Sequence, residues 1–463
     1  MRRLVSIVSL TFLLSLTALL AQSPQVPLVA TPPMGWNSWD SYSLTITEPQ
    51  FKDNVQWLDK HLKSFGWQYV VIDEGWYLSN PESGGKPAWQ YTLSSNGLYL
   101  PAVNRFPSAA DGAGFKSLAD YVHALGLKFG IHILRGIPRE AVDKNLPIAG
   151  SPFHAAEAAD RSDPCPWNPD NYGVKSGDAG QAYYDSMAKL YAKWELDFVK
   201  VDCISQPYKD EEIHMLSRAL QNSGRQIVLG LSPGPTPIEK ADDARKWAQM
   251  FRISGDIWDL WEDGTGANWW AHGVHAQFDL AAAWAKYATP GRWPDLDMLP
   301  IGYLGPNTSF GSARQTNLSR DEVRTLFTLW WIARSPLMMG GNLTRTDAFT
   351  ESLLTNSEVL AVDQQSEGSH QALRTETTAI WLSRPKSGSG YYLAAFNTSN
   401  VSQIVTHSWK DLGLEGASFQ VRDLWEHKDL GSARRLEVTL KPHSSVLYRL
   451  TAPPQDAAQG PGS

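Results

Sequence analysis

The chain has 463 residues, 42% of them hydrophobic and 19% charged, with 41 Lys+Arg set against 48 Asp+Glu. This is the make-up of a globular protein with a large core, and it excludes a disordered chain, a collagen and a coiled coil. The net charge of −7 gives no electrostatic support to a nucleic-acid or anionic-membrane partner.

Met1 to about Ser23 reads as a secretory signal. Arg2 and Arg3 precede an apolar run from Leu4 to Leu20, and Ala21-Gln22-Ser23 offers small residues for cleavage. The run is short for a membrane anchor, and no later segment is apolar enough to cross a bilayer. The expected location is secreted or periplasmic, with no membrane contact once the signal is gone. Export permits a disulfide, and there are two cysteines, Cys165 and Cys203, which are either bridged or two buried thiols.

Beyond the signal, short β-rich runs alternate with helical periodicity. The runs are Gly35–Trp39, Tyr69–Asp73, Lys128–Ile133, Phe198–Asp202, Ile227–Leu231, Phe251–Ile253, a weak one at Asp297–Ile301, and Leu337–Met339. Helical spacing appears in Glu48–Phe65, Gly114–Leu125, Gly180–Trp194, Asp210–Asn222, Asp242–Met250 and Arg320–Ala333. Eight strand-like runs in this alternation predict an α/β fold, a (β/α)8 TIM barrel. An open doubly wound sheet is the alternative, but no phosphate-binding glycine loop follows any strand.

From about Thr375 the pattern becomes alternating and turn-rich, at Ala379–Ser383, Tyr391–Asn397, Gln403–Ser408, Phe419–Asp423, Leu436–Leu440 and Ser445–Leu450. It predicts a C-terminal antiparallel β-sandwich. The expected division is signal 1–23, barrel 24–365, sandwich 366–452 and a disordered tail 453–463 rich in Pro, Gly and Ala.

In such a barrel the C-terminal strand ends converge on one site. Here they carry Asn37 to Trp39, Asp73 with Glu74, His132, Lys200 with Asp202, Ser232, Arg252 with Asp256, and Asp295 with Asp297. Capping accounts for one such carboxylate but not for carboxylates at four ends. Acidic groups in a Trp-rich pocket suit glycoside hydrolysis, in which two carboxyl groups flank the scissile bond. A hard metal ion needs oxygen ligands clustered in one loop, and zinc needs paired His/Cys spacing. Neither pattern is present, so no metal and no cofactor are expected. The 20 Trp divide between core packing and sugar stacking.

These residues resemble glycoside hydrolase family 27, the melibiase or α-galactosidase-like family of clan D. The resemblance rests on segments in family order: Thr31–Trp39, Val71–Trp76, Lys128–Ile131, Phe198–Asp202, Arg252–Asp256, Gly291–Leu299 and Leu329–Leu337. It implies a barrel followed by a β domain. It also implies a retaining exo-hydrolase with Asp202 as nucleophile and Asp256 as acid/base, releasing terminal α-D-galactose from a carbohydrate substrate. By the same resemblance Trp39, Asp73, Glu74, His132, Lys200, Ser232, Arg252 and Asp297 bind substrate. Cys165 and Cys203 lie near a family disulfide, with Cys203 offset by one residue. An apolar setting from Ile253, Ile257 and Trp258 is expected around Asp256.

Three departures bear on the sugar. Glu74 stands where a second Asp is usual, His132 where a Tyr is usual, and Ser232 where galactosidases carry a Glu. The extra methylene of Glu74 crowds a substituent on C5, which favours a pentopyranose. A β-L-arabinopyranosidase is therefore the alternative, and a catalytically inactive carbohydrate-binding protein the second. The long segment Arg135–Pro169 is expected to cover the glycone. Trp258, Trp261, Trp269 and Trp270 are expected on the aglycone side, Trp36, Trp39, Trp76 and Trp293 in the site, and Trp330 and Trp331 in barrel packing.

Overall fold

The computed structural model describes residues 27–82 and 88–453. The expected signal and all but the first residue of the expected tail lie outside them. Eight parallel strands form one sheet: β1 Met34–Asn37, β2 Tyr69–Ile72, β3 Lys128–Leu134, β4 Phe198–Asp202, β5 Val228–Leu231, β6 Met250–Arg252, β7 Trp293–Asp295 and β8 Leu337–Met339. Their order is β7-β6-β5-β4-β3-β2-β1-β8. A parallel bridge from Leu299 to Met339 closes the cylinder between β7 and β8. This is a TIM barrel.

The crossing helices are α1 Glu48–His61, α2 Lys116–Ala124, α3 Asp178–Lys193, α4 Asp210–Asn222, α5 Ala241–Trp247, α6 Gln277–Trp284 and α7 Arg320–Ala333. Ala348–Leu354 and Ser357–Gln364 follow β8. Sequence periodicity located all of α1 to α7 except α6, whose QFDLAAAW run is apolar on too many sides to show a face.

The seventh strand is corrected. Trp293–Asp295, not Asp297–Ile301, pairs with β6. The chain then breaks at Asp297, which has a φ of 91°. Leu299 resumes contact only to close the barrel.

Strand alternation sorts side chains into two sets. On β4, Val199 and Val201 pack in the main core under the helices, while Phe198 joins a separate cluster inside the barrel. On β2, Val70 and Ile72 face the helices and Tyr69 and Val71 the interior. Val228, Met250, Trp293 and Met338 complete that interior layer. Gly130 leaves space for Phe198, because a Cβ there would lie 2.8 Å from the ring. The barrel is therefore plugged by apolar side chains at the level of Phe198. The next inward positions, at the C-terminal ends, are free to be polar.

The C-terminal unit has eight strands: β9 Ser366–Arg374, β10 Thr378–Pro385, β11 Tyr391–Asn397, β12 Gln403–Ser408, β13 Phe419–Asp423, β14 Lys428–Ala433, β15 Arg435–Leu440 and β16 Ser445–Thr451. Six form an antiparallel sheet in the order β9-β10-β11-β16-β13-β14, and β12 pairs with β15. The outer strands β9 and β14 escape sequence reading, being polar and bulged, with β14 mostly exposed as well. The unit is joined to the barrel through α7. Trp425 packs on Trp331 with centroids 5.2 Å apart, and its indole N–H donates to Thr328 Oγ1 at 3.0 Å. His443 stacks on Trp261 at 3.9 Å and 10°.

Candidate active site

At the C-terminal mouth of the barrel a pocket is lined by Trp39, Asp40, Asp73, Glu74, Trp167, Lys200, Asp202, Ser232, Arg252, Asp256, Ile257, Trp258, Asp297 and Met298. Lys200 and Asp202 stand above Phe198 on β4, as alternation requires. Of the residues expected to bind substrate, all but His132 line this pocket, and His132 lies directly behind Asp202.

Asp73 is the electrostatic anchor. Its Oδ2 accepts from Lys200 Nζ at 2.9 Å and from Asn37 Nδ2 at 2.7 Å. Burial works against its charge, but Lys200 and His132 outweigh it and hold the carboxyl at about 2. Asp202 is treated similarly. Burial opposes ionisation, yet the hydrogen bond and charge of His132, Lys200 and the Cys203 N–H lower its pKa below the usual carboxylate value. His132 Nε2 lies 3.2 Å from Asp202 Oδ2, and the Cys203 N–H donates to Oδ1 at 2.8 Å. Burial disfavours a charged His132, but Asp73 and Asp202 raise its pKa. Facing a carboxylate, the Nε2–H donates to Asp202.

Glu74 lies among the same charges. Its Oε1 accepts from Asn168 Nδ2 at 2.6 Å. Burial, reinforced by Asp202 and Asp73 against the pull of His132, pushes it up to about 7. Asp297 also rises to about 7, through burial and then the charges of Asp256 and Asp295, against the pull of Arg252. Arg252 lies 2.6 Å from Asp297 and 3.1 Å from Asp256. The Asp256 side chain is 49% exposed and bonded to that guanidinium. The apolar setting expected there is absent: Ile257 and Trp258 border the pocket, but Ile253 packs in the core.

Cys165 and Cys203 form a disulfide. It ties the segment after β3 to the residue that follows Asp202. That segment supplies Trp167 to the pocket and Asn168 to Glu74, whereas Asp163 pairs with Lys209 and Arg161 with Asp143. Asn168 and Asp40 carried no local signal in the sequence. Their places at the pocket come from chain crossings that no motif spacing records.

The tryptophans are partly corrected. Trp36, Trp76 and Trp293 are fully buried in core packing, as are Trp330 and Trp331, and among the strand-end set Trp39 alone lines the pocket. Of the aglycone set Trp258 lines it, with Trp270 and Phe310 edge-on or stacked behind. Trp261 faces the C-terminal sheet between His275 and His443, and Trp269 is 73% exposed.

This geometry meets a consistent set of relatives. Residues 172–365 match the family described as alpha galactosidase A, and 375–450 match the alpha galactosidase C-terminal beta sandwich domain. Alpha-galactosidase 3 of Arabidopsis thaliana is 30% identical over 439 residues, covering 92% of this chain and 82% of the relative. The chain belongs to glycoside hydrolase family 27. Within family 27, a solved β-L-arabinopyranosidase from Geobacillus stearothermophilus is 44% identical, with a TM-score of 0.86 and coverage of 94% and 98%. An alpha-galactosidase from Oryza sativa subsp. japonica is 28% identical, covering 91% and 85%. Alpha-galactosidase I of Mortierella vinacea shares the fold at a TM-score of 0.71 and 23% identity, covering 91% and 97%. The protein is a glycoside hydrolase. Among the described residues no helix is long and apolar enough to cross a membrane.

Proposed function

We propose that this protein is an exported, retaining exo-glycosidase acting on terminal β-L-arabinopyranosides, with α-D-galactosides as poorer substrates. One observation carries the choice of sugar: Glu74 lines the pocket, partly buried, and is fixed by Asn168. Its extra methylene, relative to the Asp usual there, occupies the space that a C5 hydroxymethyl group needs. The 44% identity to a β-L-arabinopyranosidase supports the same choice. Export is supported by the disulfide and the signal-like first residues.

In the proposed reaction Asp202 attacks the anomeric carbon and forms a C1–O bond while the glycosidic C1–O bond breaks. Asp256 gives its proton to the departing oxygen. Water then attacks C1, Asp256 takes a proton from it, and the Asp202 carboxylate is released with retention. The low pKa of Asp202 suits a nucleophile. The presence of both carboxyls in one pocket argues against a binding protein without catalysis.

A panel of p-nitrophenyl glycosides tests the reading: β-L-arabinopyranoside, α-D-galactoside, α-N-acetylgalactosaminide and α-D-glucoside. The arabinopyranoside should give the highest kcat/KM. Glu74→Asp should move the ratio toward the galactoside by about 10- to 200-fold, the effect of one methylene in a pocket. Asp202→Asn should lower kcat by about 10³-fold or more. A wild-type preference for the galactoside defeats the choice of sugar, and cleavage of none of the four defeats the enzyme.

A further inference from the structure

Six carboxyl groups line the pocket. Asp73, Glu74, Asp202, Asp256 and Asp297 each have a hydrogen-bonded or ionic partner. The sixth, Asp40, does not fit that pattern. It follows Trp39 at the end of β1 and is 2% exposed. Its Oδ2 is buried without a hydrogen-bond partner. The carboxyl lies flat on the backbone at the end of β8, where a Cβ on Gly340 would sit 1.7 Å from Oδ2 and 2.4 Å from Cγ. A glycine at that position lets the acid lie there.

A buried polar atom with no partner costs about 1–3 kcal/mol, and such groups in native proteins are rare. At a pocket wall the missing partner is readily supplied by the ligand. We propose that Asp40 is a specificity-determining residue whose carboxyl hydrogen-bonds a hydroxyl of the bound glycone. This rests on the pocket being the glycone site, as the proposed function has it, but not on which sugar occupies it.

The surroundings select a neutral polyhydroxyl ligand. Lys200 and Arg252 are the obligate cations of the pocket, and both are already engaged with Asp73, Asp256 and Asp297. The charged groups that face Asp40 are Asp297, Lys200, Asp73 and Asp256. Burial first, and then those carboxylates, push Asp40 well above the usual range against the pull of Lys200. A neutral acid offers both an O–H donor and an acceptor, the pairing a sugar hydroxyl accepts. The soft χ2 torsion of Asp lets either oxygen turn to the pocket.

The test compares the wild type and Asp40→Ala on whichever p-nitrophenyl glycoside is cleaved best, and on its 2-, 3- and 4-deoxy analogues. The variant should lose about tenfold in kcat/KM, mainly through KM, and one deoxy penalty should shrink in it by a similar factor. Deoxy penalties that stay the same in both proteins, or a change under twofold, overturn the proposal. Should the alanine variant fail to fold, a crystal structure of the wild type with its free monosaccharide product decides. A sugar hydroxyl within about 3.2 Å of the Asp40 carboxyl supports the contact. A water molecule or an empty gap there refutes it. A galactoside preference in the panel defeats the arabinopyranoside reading and leaves this measurement intact.

Discussion

Glu74 and Asp202 are carboxyl groups of one pocket driven in opposite directions. His132 and the Cys203 N–H serve Asp202, whereas Glu74 has Asn168 and the repulsion of Asp202 and Asp73. At neutral pH the pocket therefore holds an ionised Asp202, the proposed nucleophile, beside a carboxyl pushed up to about 7. Glu74 stays protonated below about pH 7 and can donate to a sugar hydroxyl; above it, a second negative charge appears next to Asp202. The kcat/KM profile should fall on the alkaline side near pH 7, and Glu74→Gln should remove part of that limb, Asp297 supplying the rest. Stability follows the same sign. The folded pKa lies above the ordinary 4.5, so the contribution is complete below 4.5 and lost as pH rises through about 7. Melting temperatures at pH 5 and pH 8 should differ less in Glu74→Gln than in the wild type. Residues of this kind were legible because strand ends and family motifs coincide. Asp40 was not, although it adjoins Trp39, because its interest lies in a partner it lacks and in Gly340, 300 residues away.

At the scale of elements, β1 to β6 and β8 read from sequence to within a residue or two, since each is a short apolar run bounded by polar or glycine-rich chain. β7 did not, because Trp293-Pro294-Asp295 is too short to show alternation and the more apolar run beyond it draws the eye. The segment between β3 and β4 is a second case. Its length was legible, but not that Asn168 would reach back to Glu74. The disulfide fastens this segment two residues before Trp167 and next to Asp202. A Cys165→Ser, Cys203→Ser double variant should therefore raise KM several-fold while changing kcat less. It should also lose about 2–4 kcal/mol of stability, as expected for a link spanning 38 residues. Urea denaturation and steady-state kinetics on the same preparation check both.

At the scale of the molecule, one face of the C-terminal sheet joins the core of the barrel helices, while the other face packs in a cluster of its own. α7 is buried along most of its length, and Trp381, Phe396, Trp425 and Leu447 of the C-terminal unit belong to the main hydrophobic cluster with the barrel helices. Alternation revealed that the sheet exists, but the surfaces that meet across α7 have no sequence signature of their own. The two units should unfold in a single calorimetric transition. Trp425→Ala should lower that one transition by about 3–5 kcal/mol rather than split it. The plug at Phe198 has a further effect on the way such an enzyme meets a polymer. Under the proposed exo reading, a pocket closed below by Phe198 takes one chain end at a time. Turnover on a branched glycan then scales with the number of tips rather than with its mass. A solution of long chains keeps its viscosity while side-branch sugars accumulate one at a time.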